Sequence, residues 1–345
     1  MVAKRVEPLR NTIDYYAYIE CISKGTYLDL FRAGLEYIRF GELVSKDARV
    51  FIKPNLTFPA YRPGVMTSPQ AVEAAVIAIK EYTPNIYLGD SDSGGYNRFS
   101  MDEVYRETGL WQLGDKYCVQ VVNLSKLERK FIHFEYKNKV FKLALPRLLT
   151  DDVDLLVSMP VPKVHAHTGV SLAFKNQWGC IPENEDRLRF HPYFSQVVLE
   201  VNKAIKARVA IIDGKYGLNV NGPMKGQPIE LNWVLLSNDI GAATALACEL
   251  MQIPLEKIKH LKHIKKMGFV PELSDIKVNQ DFHPFINEKF VLKRAWTDYP
   301  GYFAFHNPIL AYIAYFSPLA GLLHRLLYLF REPYYDYNQY SAHRH

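Results

Sequence analysis

Short apolar runs alternate with segments of helical period along most of this chain, and that alternation leaves few folds open. Apolar stretches of four to seven residues bounded by turn residues read as buried strands, whereas apolar residues at three- and four-residue spacing read as helices. Strands are predicted at 15–21, 49–53, 86–89, 119–122, 155–159, 209–212 and 233–236. Helices are predicted at 27–40, 69–82, 193–207, 240–251 and 255–267. In the first of these Leu28, Phe31, Leu35 and Ile38 recur on one face. Ser68 caps the second, with Pro69 at its first position. Strands followed by helices in this order predict an α/β fold, a mostly parallel sheet covered by helices. A hairpin is expected over 131–143, where KNK separates two aromatic-rich runs.

At 345 residues the chain can bury a full core as one large unit or as two intimate lobes. We read an α/β domain over 1–275, dividing, if it divides, into 1–150 and 151–275, and an aromatic-rich extension over 276–345. The formal charge of +6 is spread along the chain apart from a short basic run near Lys257 to Lys266. Duplex recognition concentrates charge on one face, so no nucleic acid partner is expected. An anionic small molecule or an anionic membrane surface suits the mild excess. Cys21, Cys118, Cys180 and Cys248 are far apart in sequence, without zinc-ribbon or iron–sulfur spacing. Free thiols in a reducing compartment are expected, and the first sixteen residues contain no apolar signal region. These features predict a cytoplasmic protein, with the inner face of the membrane as an alternative.

Residues 307–331, NPILAYIAYFSPLAGLLHRLLYLFR, form the most hydrophobic segment. The uncharged part, 309–323, is shorter than the roughly twenty residues that span a bilayer. Pro318 divides it, and His324 and Arg325 interrupt it. A helical hairpin packed on the domain, a homo-oligomer contact and a peripheral membrane contact remain open for this segment.

In open α/β sheets ligands bind beyond the carboxyl ends of the strands. Four predicted strands here run into polar, turn-rich sequence: Lys53-Pro54-Asn55, GDSDSGG over 89–95, PVPKVHAHTGVSLAFKNQWGC over 160–180, and DGKYGLNVNGP over 213–223. We expect these ends to converge on one pocket. Asp90 and Asp92, with Ser91 between them, suit a cation or a substrate hydroxyl through their carboxylates, and the glycines beside them would let backbone N–H groups approach an anion. The spacing is not that of a dinucleotide or Walker fingerprint. Lys53 and Asn55 suit a phosphate or carboxylate, with a structural ion pair as the alternative for Lys53. His165 and His167, two apart on an extended segment, face one side, as a metal pair or a binding and acid–base pair would. Lys163 stands close to them. A helix beginning near Thr168 would offer free N–H groups to an anion, with Lys175 about two turns inside and able to reach the same ligand. A buried Lys175 would lose proton affinity and serve as base or nucleophile, or it pairs with an aspartate. Asn176 follows it. Asp213 closes a central strand, and Asp239 caps the helix at 240.

These residues are where the chain resembles a known family, the one catalogued as domain of unknown function three-six-two. The matching segments are Lys53-Pro54-Asn55, Gly89-Asp90-Ser91, Pro162-Lys163-Val164-His165, Thr168-Gly169, Lys175-Asn176-Gln177-Trp178-Gly179, Asp213-Gly214 and Gly222-Pro223, in order over about 49–268. The ferredoxin-type cysteine motifs of many relatives are missing, so the chain by itself offers no such clusters. Asp239-Ile240-Gly241-Ala242 departs from the family's Asp-Pro-Val-Ala. A more distant resemblance, to the lactate racemase family, implies a nickel pincer group held through lysine and histidine.

The expectation is an enzyme acting on a small anionic molecule. Lys53 and Lys175 would hold the anion, and Lys175, His165 and His167 would carry the chemistry. Asn55, Asp90, Ser91, Lys163, Thr168, Asn176 and Asp213 would line the ligand, and a divalent metal would sit on His165, His167 and Asp90. The alternatives are a membrane-associated binding or assembly protein without turnover, motivated by the segment 309–330, and a redox component fed by a separate ferredoxin, which the resemblance alone suggests.

Overall fold

A computed structural model describes residues 14–93 and 99–331. The residues before Asp14, and Gly94 and Gly95 of the glycine turn, lie outside the described part. Among the described residues twelve strands occur in chain order: β1 (Tyr15–Cys21), β2 (Val50–Pro54), β3 (Ile86–Asp90), β4 (Gln120–Asn123), β5 (Arg129–Tyr136), β6 (Lys139–Pro146), β7 (Leu155–Met159), β8 (Lys163–His165), β9 (Gly169–Ser171), β10 (Ala207–Asn219), β11 (Gln227–Ser237) and β12 (Ile276–Val278). The main sheet runs β12-β1-β11-β10-β7-β2-β3-β4. The stretch from β10 to β4 is parallel throughout. Antiparallel β11 joins it to β1, and β12 lies parallel on β1 at the edge. The sheet therefore contains strands from both halves of the chain and extends past residue 275.

Period-two alternation sorts the strands into two cores. Val50, Ile52, Leu155, Val157, Val209 and Ile211 face one side, under the helices Tyr27–Tyr37 and Pro69–Lys80. Phe51, Leu156, Ala210 and Ile212 face the other, under Phe194–Ala204 and Ile240–Leu250. Burial on both faces is why these strands are continuous apolar runs. The helix ends follow their caps. Ser68 accepts from the Ala71 N–H at 3.3 Å with Pro69 beside it. Asp239 accepts from the N–H groups of Gly241 and Ala242 at 2.8 and 2.9 Å. The hairpin forms as β5 and β6, with Lys137 and Asn138 both at positive φ in its two-residue turn.

Four expectations need correction. The first helix stops at Tyr37, because Arg39 is left-handed and begins a separate turn at Phe40–Leu43. Residues 255–267 break into a tight turn and the helix Lys259–Lys266. No helix begins near Thr168: Gly169–Ser171 is β9, folded back on β8, and only one helical turn, Ala173–Asn176, follows. Finally, the strand at 209–212 does not end at Asp213-Gly214 but continues to Asn219. Gly214 is a packing glycine, since a Cβ there would lie 2.2 Å from the Trp233 ring.

Candidate active site

The carboxyl ends of β2 and β3, the β8–β9 hairpin and the turn Ala173–Asn176 enclose a cavity of about 250 Å³. Lys53, Asn55, Asp90, Ser91, Lys163, His165, His167, Lys175 and Asn176 all line it. Two expected residues do not. The Asp213 carboxylate accepts from Tyr27 Oη at 2.7 Å and from the Ser68 N–H at 2.8 Å, tying β10 to the start of the helix Pro69–Lys80. Its position inside a long strand, not at a strand end, explains this. Thr168 donates to the Val170 carbonyl and lines a smaller adjoining space of about 40 Å³, with His167, His191 and His260.

Several lining residues are already committed to one another. Lys53 Nζ meets Asp90 Oδ2 at 2.8 Å, with Lys53 only 1% exposed, and also donates to the Pro54 carbonyl and to Asn176 Oδ1. Asp90 further accepts from the N–H groups of Leu56 and Ser91. Asn176 returns to the Lys53 carbonyl and Ser158 Oγ at 3.0 and 3.1 Å. Gly179 makes room for this group, because a Cβ there would lie 2.7 Å from Asp90 Oδ1. Ser91 Oγ donates to the Gly179 carbonyl and accepts from Arg187.

The other two lysines face the cavity differently. Lys163 Nζ donates to the Val65 carbonyl at 2.8 Å and to Asn55 Oδ1 at 3.1 Å. Burial, then the charges of Lys175 and Lys53, lower its pKa to about 7. Lys175 has no hydrogen-bond or ion-pair partner among the described residues, and its ammonium lies 5.7 Å from the Phe194 ring centre. Burial, then the charge of Lys53, lowers its pKa to about 7 as well. An ammonium removed from water without a counter-ion loses its proton readily.

The histidines are neutral for the same reason. Burial first, then Lys175, holds His165 well below the usual imidazole range. Its Nδ1 accepts from the His167 N–H at 3.1 Å, which leaves Nε2 to carry the proton. His167 is lowered to about 3 by burial and then by Arg331. Nδ1 of His167 and of His191 finds no hydrogen-bond partner among the described residues. Among the described residues no three His, Cys, Asp or Glu side chains gather as a metal ion requires. Asp90 is held by Lys53, so the donor set expected of His165, His167 and Asp90 is not assembled. Lysine and histidine side chains of the kind the distant resemblance implies do share the cavity, but they make no bare-metal cage.

Sequence reasoning missed Arg187, His191 and Phe305. Arg187 comes from the helix Asn184–Phe190, whose charged pattern reads as a solvated face. It turns inward instead, donating to the carbonyls of Ile181 and Asp92 at 2.7 and 2.8 Å. Phe305 belongs to the extension yet packs tilted against the rings of His191 and His167, with ring centres 4.0 and 4.3 Å away. No local signal marks either residue, because distant segments set their contacts.

Fold and site together define an α/β protein with a lysine- and histidine-lined cavity at the carboxyl edge of a parallel sheet. A family model described as Domain of unknown function (DUF362) matches residues 50–249, and the chain belongs to that family. It is 25% identical over 265 residues to a thylakoid-associated protein of Synechocystis sp., covering 73% of this chain and 78% of that protein. The lactate racemase apoprotein of Thermoanaerobacterium thermosaccharolyticum is similar at 14% identity and a TM-score of 0.44, covering 69% of this chain and 57% of that one. A Thermotoga maritima protein of known crystal structure is similar at 14% identity and a TM-score of 0.37, covering 66% and 59%. The chain thus spans less than two thirds of either of these two proteins.

Proposed function

We propose that the cavity is the active site of an enzyme acting on a small anionic molecule. The observation that carries this reading is Lys175, whose ammonium enters the cavity without a partner among the described residues. Four basic side chains, Lys53, Lys163, Lys175 and Arg187, line the space against one carboxylate, Asp90, which Lys53 already neutralises. A carboxylate or phosphate between Lys175 and Lys163 would supply the missing charge and restore both protons. His165, with its proton on Nε2, would donate to the substrate, and Lys163, recharged by the bound anion, would donate to it as well. His167 stands behind His165 and supports its ring. Lys53, expected to touch the ligand, instead holds Asp90 and the strand ends in place. Four free cysteines support a reducing compartment such as the cytoplasm.

Calorimetric titration with sulfate and oxalate tests the reading, followed by a screen of small carboxylates for turnover by NMR. Wild-type protein should bind one anion, and Lys175→Met should weaken it about tenfold or more. Equal binding by the two proteins would remove Lys175 from the site.

A further inference from the structure

The segment from Pro308 to Phe330 is packed inside out. It forms two helical arms, Pro308–Tyr315 and Ala320–Tyr328, bent by 80° at the break. Along the second arm and the residues flanking it, Leu319, Leu322, Leu323, Leu326 and Phe330 follow helical spacing and fall on one stripe. An ordinary surface helix turns such a stripe toward the core. Here His324 makes an inward contact, against the Tyr315 ring at 5.6 Å, and no residue of this arm is buried. Leu322 is 57% and Leu326 49% exposed, and Ile309, Leu310, Tyr312 and Ile313 of the first arm are exposed with them.

We infer that this pair lies in the plane of an anionic lipid surface, with its leucine stripe among the acyl chains. No single helix among the described residues is long and apolar enough to cross a membrane, but two short arms at a sharp bend can lie in the interface. The charge around them matches anionic headgroups. From Tyr299 to Arg331 the chain has no aspartate or glutamate, while Arg325 flanks the stripe. The helix Lys259–Lys266 adds a basic face, with Lys259, Lys262 and Lys266 exposed at three- and four-residue spacing. Lys259 lines the same small space as His306, two residues before the first arm, so the basic face begins close to the apolar pair. Trp296, 63% exposed and 5.4 Å from the Phe330 ring centre, sits at the rim, where an aromatic residue favours the headgroup region.

The test uses the full chain with vesicles of phosphatidylcholine alone and of phosphatidylcholine with phosphatidylglycerol. The protein should float with the anionic vesicles and far less with the neutral ones. Leu322→Asp/Leu326→Asp should lower the partition coefficient about tenfold or more, since both side chains are exposed and the fold does not depend on them. Wild-type tryptophan emission should move to shorter wavelength with anionic vesicles, and Trp296→Phe should abolish that change. The inference is overturned if the wild-type protein ignores both vesicle types, or if the double variant floats as well as wild type. It is also overturned if sedimentation shows a dimer that the double variant dissociates while neither protein binds lipid, since the stripe would then be covered by a second copy.

Discussion

Lys53 and Asp90 close the carboxyl ends of neighbouring parallel strands, β2 and β3, with a 2.8 Å ion pair almost sealed from solvent. The pair forms part of the cavity floor, with Asn176 and Gly179 packed against it. This placement gives Lys53 a structural task where strand-end chemistry alone would assign it to the ligand. Removing one partner leaves a buried, uncompensated charge, which costs about 3–5 kcal/mol. Lys53→Met should lower stability in urea by that order. The double substitution Lys53→Met/Asp90→Leu should recover much of the loss, because it removes both charges. A Lys53→Met protein that keeps full stability but loses anion binding would return Lys53 to the ligand.

Gly179→Ala should be felt at the same place. Its Cβ would lie 2.7 Å from Asp90 Oδ1 and 3.0 Å from Lys53 Nζ, two side chains held in place by the 2.8 Å ion pair between them. A loss of about 1–3 kcal/mol is expected from such overpacking. Gly89→Ala should be worse, because its Cβ would meet the Val122 carbonyl of β4 at 2.0 Å, and main chain in a sheet does not yield. Comparing the urea midpoints of the two variants checks the order.

The fold was legible where one local rule decided it. Apolar runs marked β2, β3 and β7, Ser68 and Asp239 marked helix starts, and the Lys-Pro-Asn and Gly-Asp-Ser ends marked the cavity floor. Asp213 was misread because a glycine after an apolar run looks like a turn, whereas Gly214 exists to admit the Trp233 ring. Thr168 was misread because a polar residue before an apolar run resembles a cap, while tertiary pairing with β8 makes that run a strand. Arg187 and Phe305 reach the cavity through contacts between segments far apart in sequence, and no periodicity records those.

Lys175 makes stability depend on alkaline pH in a definite direction. Its folded pKa of about 7 lies below the ordinary 10.5, so between these values the unfolded chain binds a proton that the folded chain has released. Stability from this group therefore rises with pH across that window, by up to about 1.4 kcal/mol per pH unit. The buried Cys180 and Cys248 thiols, both pushed up to about 12, act in the opposite sense at high pH. The difference between wild type and Lys175→Met isolates the lysine. Urea midpoints from about pH 6.5 to 9.5 should rise less steeply, or fall more, in the variant than in wild type. Parallel curves would mean that Lys175 keeps its proton in the folded protein.

Lys163 and Lys175 together couple anion binding to proton uptake. Without a ligand, Lys163 and Lys175 both titrate near pH 7, each lowered by burial and by the charge of a neighbouring lysine. A bound sulfate favours their charged forms, so above that pH the complex takes up protons that the free protein lacks. Sulfate affinity should be highest on the acid side and fall as pH rises through about 7, by up to about tenfold per pH unit for each lysine that must be recharged. Calorimetry in two buffers of different ionisation enthalpy measures the uptake directly. Wild type should bind up to two protons per sulfate at about pH 8, and Lys175→Met about one fewer. Affinity independent of pH between about 6 and 9 would mean that the anion does not rest on these amines.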